Sequence, residues 1–296
     1  VVNGDEGKTV VVGAGYVGGE LLRQLEAAGR QAVGVRRTAS DGFLAADVSS
    51  KDSLVTLRDE VGEIGSIVHC ASSGRGGVEA YRQVFLVGAQ NLIEVFPTTR
   101  LVFVSSTSVY PQLDGSVVTE TSEVRGSRPT SRLLVEAEVL VLEAGGTVAR
   151  LSGIYGPDRS VVLRRFLSGE ATMDAGGLAE GLAGGRLLNQ IHRDDAASGI
   201  AFLLDLPADQ TRGEAFNVSD CRPLFQAELY GTLAERFSLP MPGVTEPDAN
   251  RKRAWTHKAV SSEKLRGQGW ELCYPDYVTA LEKDQRLIPS IQAQLD

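Results

Sequence analysis

The sequence predicts a doubly wound α/β fold, a parallel sheet with helices on both faces, followed by a smaller C-terminal region of mixed structure. Three observations carry this. Short apolar, largely β-branched runs recur at Thr9-Val10-Val11-Val12, residues 31–35, 66–71, 101–104 and 147–151. These runs lack polar alternation, as strands buried on both faces do. Amphipathic segments at residues 20–25, 51–57 and 78–96 separate them, and strand-helix alternation of this kind builds parallel sheets. Beyond Pro157 the alternation fades, so residues 8–155 are expected to form mainly the first domain. Residues 156–296 are expected to form mainly the second region, with elements returning to the first.

Each element has a local reason. The first strand ends at Gly13-Ala14-Gly15-Tyr16-Val17-Gly18-Gly19, and the helix that follows stops at Gly29. Gly13 permits a tight turn, Gly15 lets a ligand approach the backbone, and Gly18 lets helix pack on strand. A helix N-terminus there faces an anion, so Gly13, Gly15, Tyr16, Val17 and Gly18 are the expected contacts of a dinucleotide pyrophosphate in a Rossmann domain. A glycine-rich structural turn is the alternative.

The second strand ends in Arg36-Arg37-Thr38, where a site preferring NAD usually places a carboxylate. Two guanidiniums there can clamp a 2'-phosphate, so the expected cofactor is NADP in preference to NAD. Asp41 comes too late to replace the missing acid, and a solvated arginine pair is the competing reading. Asp47 is placed near the adenine edge or, alternatively, at the cap of the helix beginning near Lys51. The strand at residues 66–71 carries His69 and Cys70, read as buried core residues, and delivers Ala71 and Ser72 to the C-terminal sheet edge. The strand at 101–104 delivers Ser105, Ser106 and Tyr110 to that same edge, where Ala71, Ser72 and Ser105 are expected to contact the cofactor.

Composition narrows the function. The chain has 296 residues, 42% hydrophobic and 23% charged, which excludes a disordered, collagenous or disulfide-built protein. Its net charge of -8 argues against a broad nucleic-acid surface but leaves room for a local basic pocket. Cys70, Cys221 and Cys273 are scattered and odd in number, which fits a reducing compartment. His69, His192 and His257 show no metal-ligand spacing, so no metal is expected. Asp5 and Glu6 stand where a signal peptide needs basic residues, and no apolar stretch approaches the roughly 18 residues of a membrane span. A cytoplasmic protein without a membrane partner is expected.

With these residues in place, the chain resembles the extended short-chain dehydrogenase/reductases of the NAD-dependent epimerase/dehydratase type, in particular their atypical members. The resemblance runs through Gly13 to Gly18, Ser105-Ser106 with Val109-Tyr110, and the run from Arg150 to Pro157. It continues in the run from Asn189 to Ala196 and in Phe216-Asn217-Val218-Ser219. It implies that Ser106 hydrogen-bonds the reacting oxygen and that the Asn217 region borders the nucleotide and substrate regions.

One motif departs from the family. Its Tyr, with a Lys four residues later, opens the helix that here continues through Leu133-Leu134-Val135-Glu136, which places Arg128 at the tyrosine and Arg132 at the lysine. Arg132 is expected to keep the cofactor-ribose contact. Arg128, with a pKa above about 12, is a poor proton carrier and is expected to act as an electrostatic clamp on oxyanion charge. The proton then comes from water, Ser106, a tyrosine such as Tyr110 or Tyr155, or the substrate. For both tyrosines a packed ring with a hydrogen-bonded hydroxyl is an equal alternative.

The expected activity is therefore reduction of a ketone or sugar-like carbonyl by an atypical enzyme acting on a small carbonyl or alcohol substrate, as monomer or homodimer. The alternatives are a sugar-nucleotide epimerase/dehydratase and a nonenzymatic dinucleotide-binding sensor or scaffold. In the second half, the stretch 175–185 carries five glycines and reads as a lid or an exposed turn. Arg251-Lys252-Arg253 reads as a ligand-facing or solvated basic run. Asp194-Asp195 fits a helix N-terminus rather than a catalytic pair.

Overall fold

The computed structural model describes residues 7–74, 76–174, 185–245 and 256–295. The expected glycine-rich lid at 175–184 and the basic run at 251–253 lie outside the described residues. The described chain groups into two compact units. Unit 1 comprises residues 1–110, 123–151 and 196–216, and unit 2 comprises residues 111–122, 152–195 and 217–296.

A seven-stranded sheet organises unit 1. Its strands are β1 (Lys8–Val12), β2 (Ala32–Arg36), β3 (Leu44–Ala45), β4 (Ile64–His69), β5 (Arg100–Ser106), β6 (Thr147–Leu151) and β7 (Ala215–Val218), in the order β7-β6-β5-β4-β1-β2-β3. β1 runs parallel to both β2 and β4, and the parallel pairing continues to β3 on one side and through β5 to β6 on the other. The expected doubly wound architecture is thus present, and its strand order reverses between β1 and β4. Such a reversal opens a crevice at the C-terminal ends of the strands.

Helices α1 (Tyr16–Ala27), α2 (Lys51–Val61), α3 (Val78–Tyr81), α4 (Gly88–Val95) and α5 (Pro129–Glu143) belong to this unit. The core between sheet and helices is apolar, with Val10, Leu54, Ala89, Phe103, Ala137 and Val148 all fully buried. The expected single helix over 78–96 is interrupted by a π-helical turn, Arg82–Val87. This turn lies against His69, whose Nε2 bonds the Val84 carbonyl at 2.9 Å. Burial lowers the His69 pKa to about 4, so the ring is neutral and Nε2 carries the donated hydrogen.

Unit 2 is built from short pieces. Gly153–Tyr155 pairs in parallel with Gln190–His192, and Leu187–Leu188 pairs antiparallel with Leu224–Phe225. Val117–Val118 pairs in parallel with Ala259–Val260. A second core gathers Tyr155, Leu163, Leu229, Leu233, Tyr277 and Ile291. Among the described residues, no helix is long and apolar enough to cross a membrane.

Candidate functional site

The turn after β1 shows what each glycine is for. Gly13 has φ +95°, and a Cβ there would lie 2.3 Å from the Ala71 nitrogen just past β4. A Cβ on Gly18 would lie 2.3 Å from the Gly13 carbonyl oxygen, so α1 could not rest on the turn. Gly15 differs from both. It is exposed, has φ -95°, and a Cβ there would find no protein atom nearer than 3.9 Å. Among the described residues nothing excludes a side chain at Gly15, yet one would fill the space above the first turn of α1.

That first turn has no acidic residue and no side-chain cap. Its N–H groups and the positive end of the helix are therefore suited to an anion approaching over Gly15. An open cradle at a strand-order reversal fits a dinucleotide pyrophosphate. Ala71 is half-buried and Ser72 exposed on the adjoining loop, while Val17 packs inward at 8% exposure and Tyr16 is half-buried.

At the end of β2 the two arginines take different positions. The Arg36 guanidinium lies 3.6 Å from the centroid of the Phe43 ring, and its Nε donates to the Ala14 carbonyl at 2.9 Å. Arg37 is exposed, and its charge acts on Asp47. The Asp47 carboxylate accepts the Ser49 hydroxyl at 2.7 Å and the Ser49 N–H at 2.9 Å. The hydroxyl, then the N–H and the Arg37 charge, hold its pKa below the usual value against the effect of burial. The cap of α2 is Ser50, which accepts the Ser53 N–H, and not Asp47.

The C-terminal end of β5 places two adjacent serines in different environments. Ser106 is half-buried, and its Oγ accepts the Ser108 N–H at 3.2 Å. Among the described residues its own hydroxyl hydrogen meets no acceptor. Ser105 points inward and donates to Glu138 at 2.5 Å. Arg150 grips the same carboxylate through Nε and Nη2, the latter at 2.8 Å, and its Nη1 donates to the Tyr110 hydroxyl at 2.9 Å. Ser105, Tyr110, Glu138 and Arg150 are all at least nine-tenths buried. They tie β5, β6 and α5 together beneath the sheet edge.

The importance of Glu138 and Arg150 was not anticipated from the sequence. The available signal was a charged residue inside the fully buried strand Thr147–Leu151. Arg128 stands at the cap of α5 with extended backbone, just before Pro129 at the first helical position. Its carbonyl accepts the Arg132 N–H at 2.9 Å. Arg128 is half-buried and the Arg132 side chain is exposed.

Within unit 2, Tyr155 is 1% exposed and its ring packs on His192 and Tyr277, with centroids 5.3 and 4.3 Å away. Burial, reinforced by the Asp220 charge, pushes the Tyr155 pKa well above its usual value, so the phenol stays protonated. Asp194 and Asp195 lie in the first turn of α6 (Arg193–Asp205). Asp195 accepts the N–H groups of Cys273 and Tyr274, each at 2.8 Å. Asp194 pairs with Arg193 and Arg286. His192 Nδ1 accepts the Asp194 N–H, so its Nε2 hydrogen is donated to Asp284 at 3.1 Å. These bonds fasten the closing segments of the chain within this unit.

A family model for the NAD dependent epimerase/dehydratase family matches residues 9–219. The chain belongs to this family, and fold and membership together mark it as an oxidoreductase-type enzyme of the dinucleotide-dependent kind. Protein YeeZ of Escherichia coli K12 is 28% identical over 289 residues, covering 91% of this chain and 97% of that protein. A provisionally assigned NAD-dependent epimerase/dehydratase from Methylobacillus flagellatus is 27% identical with TM-score 0.71, covering 97% of this chain and 99% of its own. The Thermus thermophilus UDP-glucose 4-epimerase, solved with NAD, is similar in fold at 19% identity and TM-score 0.76, covering 96% of this chain and 99% of its own.

The expected NADP preference is corrected by these findings. The Thermus epimerase holds NAD, as do MoeE5 and the Streptomyces venezuelae dehydratase DesIV. The physical basis of that expectation also weakens, because Arg36 is engaged with Phe43 and Ala14. Two adjacent cations at a strand end do not by themselves make a phosphate clamp.

Proposed function

We propose that this chain is an NAD-dependent enzyme acting on a hydroxyl-bearing or carbonyl carbon of a sugar, with a nucleotide sugar as the substrate class. The observation that carries this reading is the pairing, within unit 1, of an open cradle at Gly15 with the available Ser106 hydroxyl. UDP-glucose bound to MoeE5 and to the Thermotoga maritima epimerase supports the substrate class. A dinucleotide held at the Gly15 turn and the first turn of α1 would supply or accept hydride at the substrate carbon. Ser106 donates a hydrogen bond to the oxygen on that carbon, and Arg128 offsets negative charge developing there. Arg132 holds the cofactor ribose.

Arg128 also favours a second reading, one-way reduction of a ketone or sugar-like carbonyl. Epimerisation removes and returns a hydroxyl proton, which a guanidinium cannot carry near neutrality. Reduction needs the oxyanion stabilised and a proton delivered, which water or Ser106 can do.

The test is titration with NADH and with NAD+, followed by UDP-sugars and dTDP-sugars in the presence of NAD+ and simple ketones in the presence of NADH, scored by nicotinamide absorbance and product stereochemistry. NADH binding and turnover of a nucleotide sugar are expected. Arg128→Ala should lower turnover about 100-fold with NADH affinity unchanged, as removing an oxyanion-stabilising group does. Turnover of ketones alone would favour the second reading, and NADH binding without any turnover would overturn both.

A further inference from the structure

The buried Arg150 guanidinium on β6 stands between α5 and the turn that follows β5. Its Nε and Nη2 hold the Glu138 carboxylate of α5, the latter at 2.8 Å. In the other direction Nη1 donates to the Tyr110 hydroxyl at 2.9 Å, and Arg150 and Tyr110 are 3% and 1% exposed. A guanidinium presents its N–H donors in a fixed plane, so one side chain sets the spacing of both partners.

Tyr110 closes the 3₁₀ turn Thr107–Val109. Directly before it, the Val109 carbonyl accepts the Arg125 N–H at 3.1 Å and the Gly126 N–H at 3.0 Å. Gly126 has φ +67° and lies against the first turn of α5, where a Cβ would come 2.6 Å from the Arg132 nitrogen. Two residues further on, Arg128 stands at the N-cap of that helix, its N–H and its carbonyl both bonded to Ser131 Oγ at 3.1 Å. The contacts form a closed ring: from Glu138 through Arg150, Tyr110 and Val109 to Gly126, then through Arg128 back into α5.

We propose that Tyr110 and Arg150 are positioning residues, and that the hydrogen bond between them fixes the backbone from which Arg128 acts on the substrate oxygen. Stabilising charge on a reacting oxygen depends steeply on geometry, and a misplacement of about 1 Å can cost about 100-fold in rate. Tyr110 in this role works through Arg128 and carries no proton to the substrate. The inference rests on the oxyanion role proposed for Arg128.

The test is Tyr110→Phe, which removes the hydroxyl and keeps the ring, set beside Arg128→Ala and the double variant. In the chain without cofactor, hydrogen exchange at the Arg125 and Gly126 amides should quicken about fivefold, the scale of one lost hydrogen bond. The Val102 and Phe103 amides within the sheet should keep wild-type rates. With NAD+ and the nucleotide sugar that wild type turns over, kcat should fall about tenfold while KM and NAD+ affinity stay within about twofold. In the Arg128→Ala background the same change should cost less than about twofold, because the group it positions is already gone. Arg125→Pro deletes one Val109 bond from an exposed loop, leaves the buried network whole, and should give a smaller loss of the same kind. Exchange that quickens equally in the sheet, unchanged kcat, or losses that add in the double variant would overturn the positioning role while leaving the proposed function standing. Absence of turnover in wild type would overturn the Arg128 role and the positioning with it.

Discussion

Within the turn after β1, three glycines are required for different reasons, and substitution should separate them. Gly13 and Gly18 are needed by the protein itself, since a Cβ at either one would lie 2.3 Å from backbone. Gly18→Ala should therefore cost about 2 kcal/mol or more of stability, in the range of overpacked sites. Gly15→Ala meets nothing within 3.9 Å and should alter stability by less than about 0.5 kcal/mol. It should nevertheless weaken NADH binding at least tenfold, because the methyl group enters the space of the phosphates. Urea unfolding and NADH titration of the two variants check this, and unimpaired NADH binding by Gly15→Ala would remove the cradle. The glycine spacing was legible because turn and helix are neighbours in sequence. The orientation of Arg36 was not, because it depends on Phe43, which reaches it only through the following loop.

On the scale of elements, α5 is joined to β6 by an ion pair that is almost wholly desolvated, with Arg150 and Glu138 side chains 4% and 2% exposed. Burying such a pair contributes little net stability, but removing one partner strands the other charge. Burial acts to lower the Arg150 pKa, yet the Glu138 charge and hydrogen bonds outweigh it, so the guanidinium stays charged. Glu138→Ala is therefore expected to destabilise the protein by about 3–5 kcal/mol. The double change Glu138→Met with Arg150→Met should cost clearly less than Glu138→Ala, because no charge is left unpaired. Urea unfolding of the single and double variants measures the difference, and equal losses would show that the pair acts through packing alone. Helix existence was readable from apolar periodicity. The π-helical turn was not, because it lies against His69 from a different strand.

Across the whole molecule, each unit is assembled from three separated segments. The parallel sheet was evident in the sequence because each buried strand announces itself locally. The pairing of Val117–Val118 with Ala259–Val260 had no comparable signal, since its two strands are short and far apart in the chain. Unit 1 likewise needs residues 196–216. From that segment, the Leu203, Leu204 and Leu206 carbonyls and the Thr211 hydroxyl accept hydrogen bonds from Arg100 at 2.7–2.9 Å. Glu214 supplies the carbonyl that receives the Val148 N–H, and Ala197, Ile200 and Leu203 are fully buried. A fragment ending at residue 155 keeps the glycine turn and α5 but loses all of these partners. Each bond lost to the Arg100 cation removes about 1.5–3 kcal/mol, and the total approaches the 5–15 kcal/mol that typically holds a domain folded. Such a fragment should lack a cooperative urea transition and should not bind NADH, whereas the full chain should do both. A sigmoidal transition with NADH binding in the fragment would show instead that the first 155 residues suffice for the dinucleotide site.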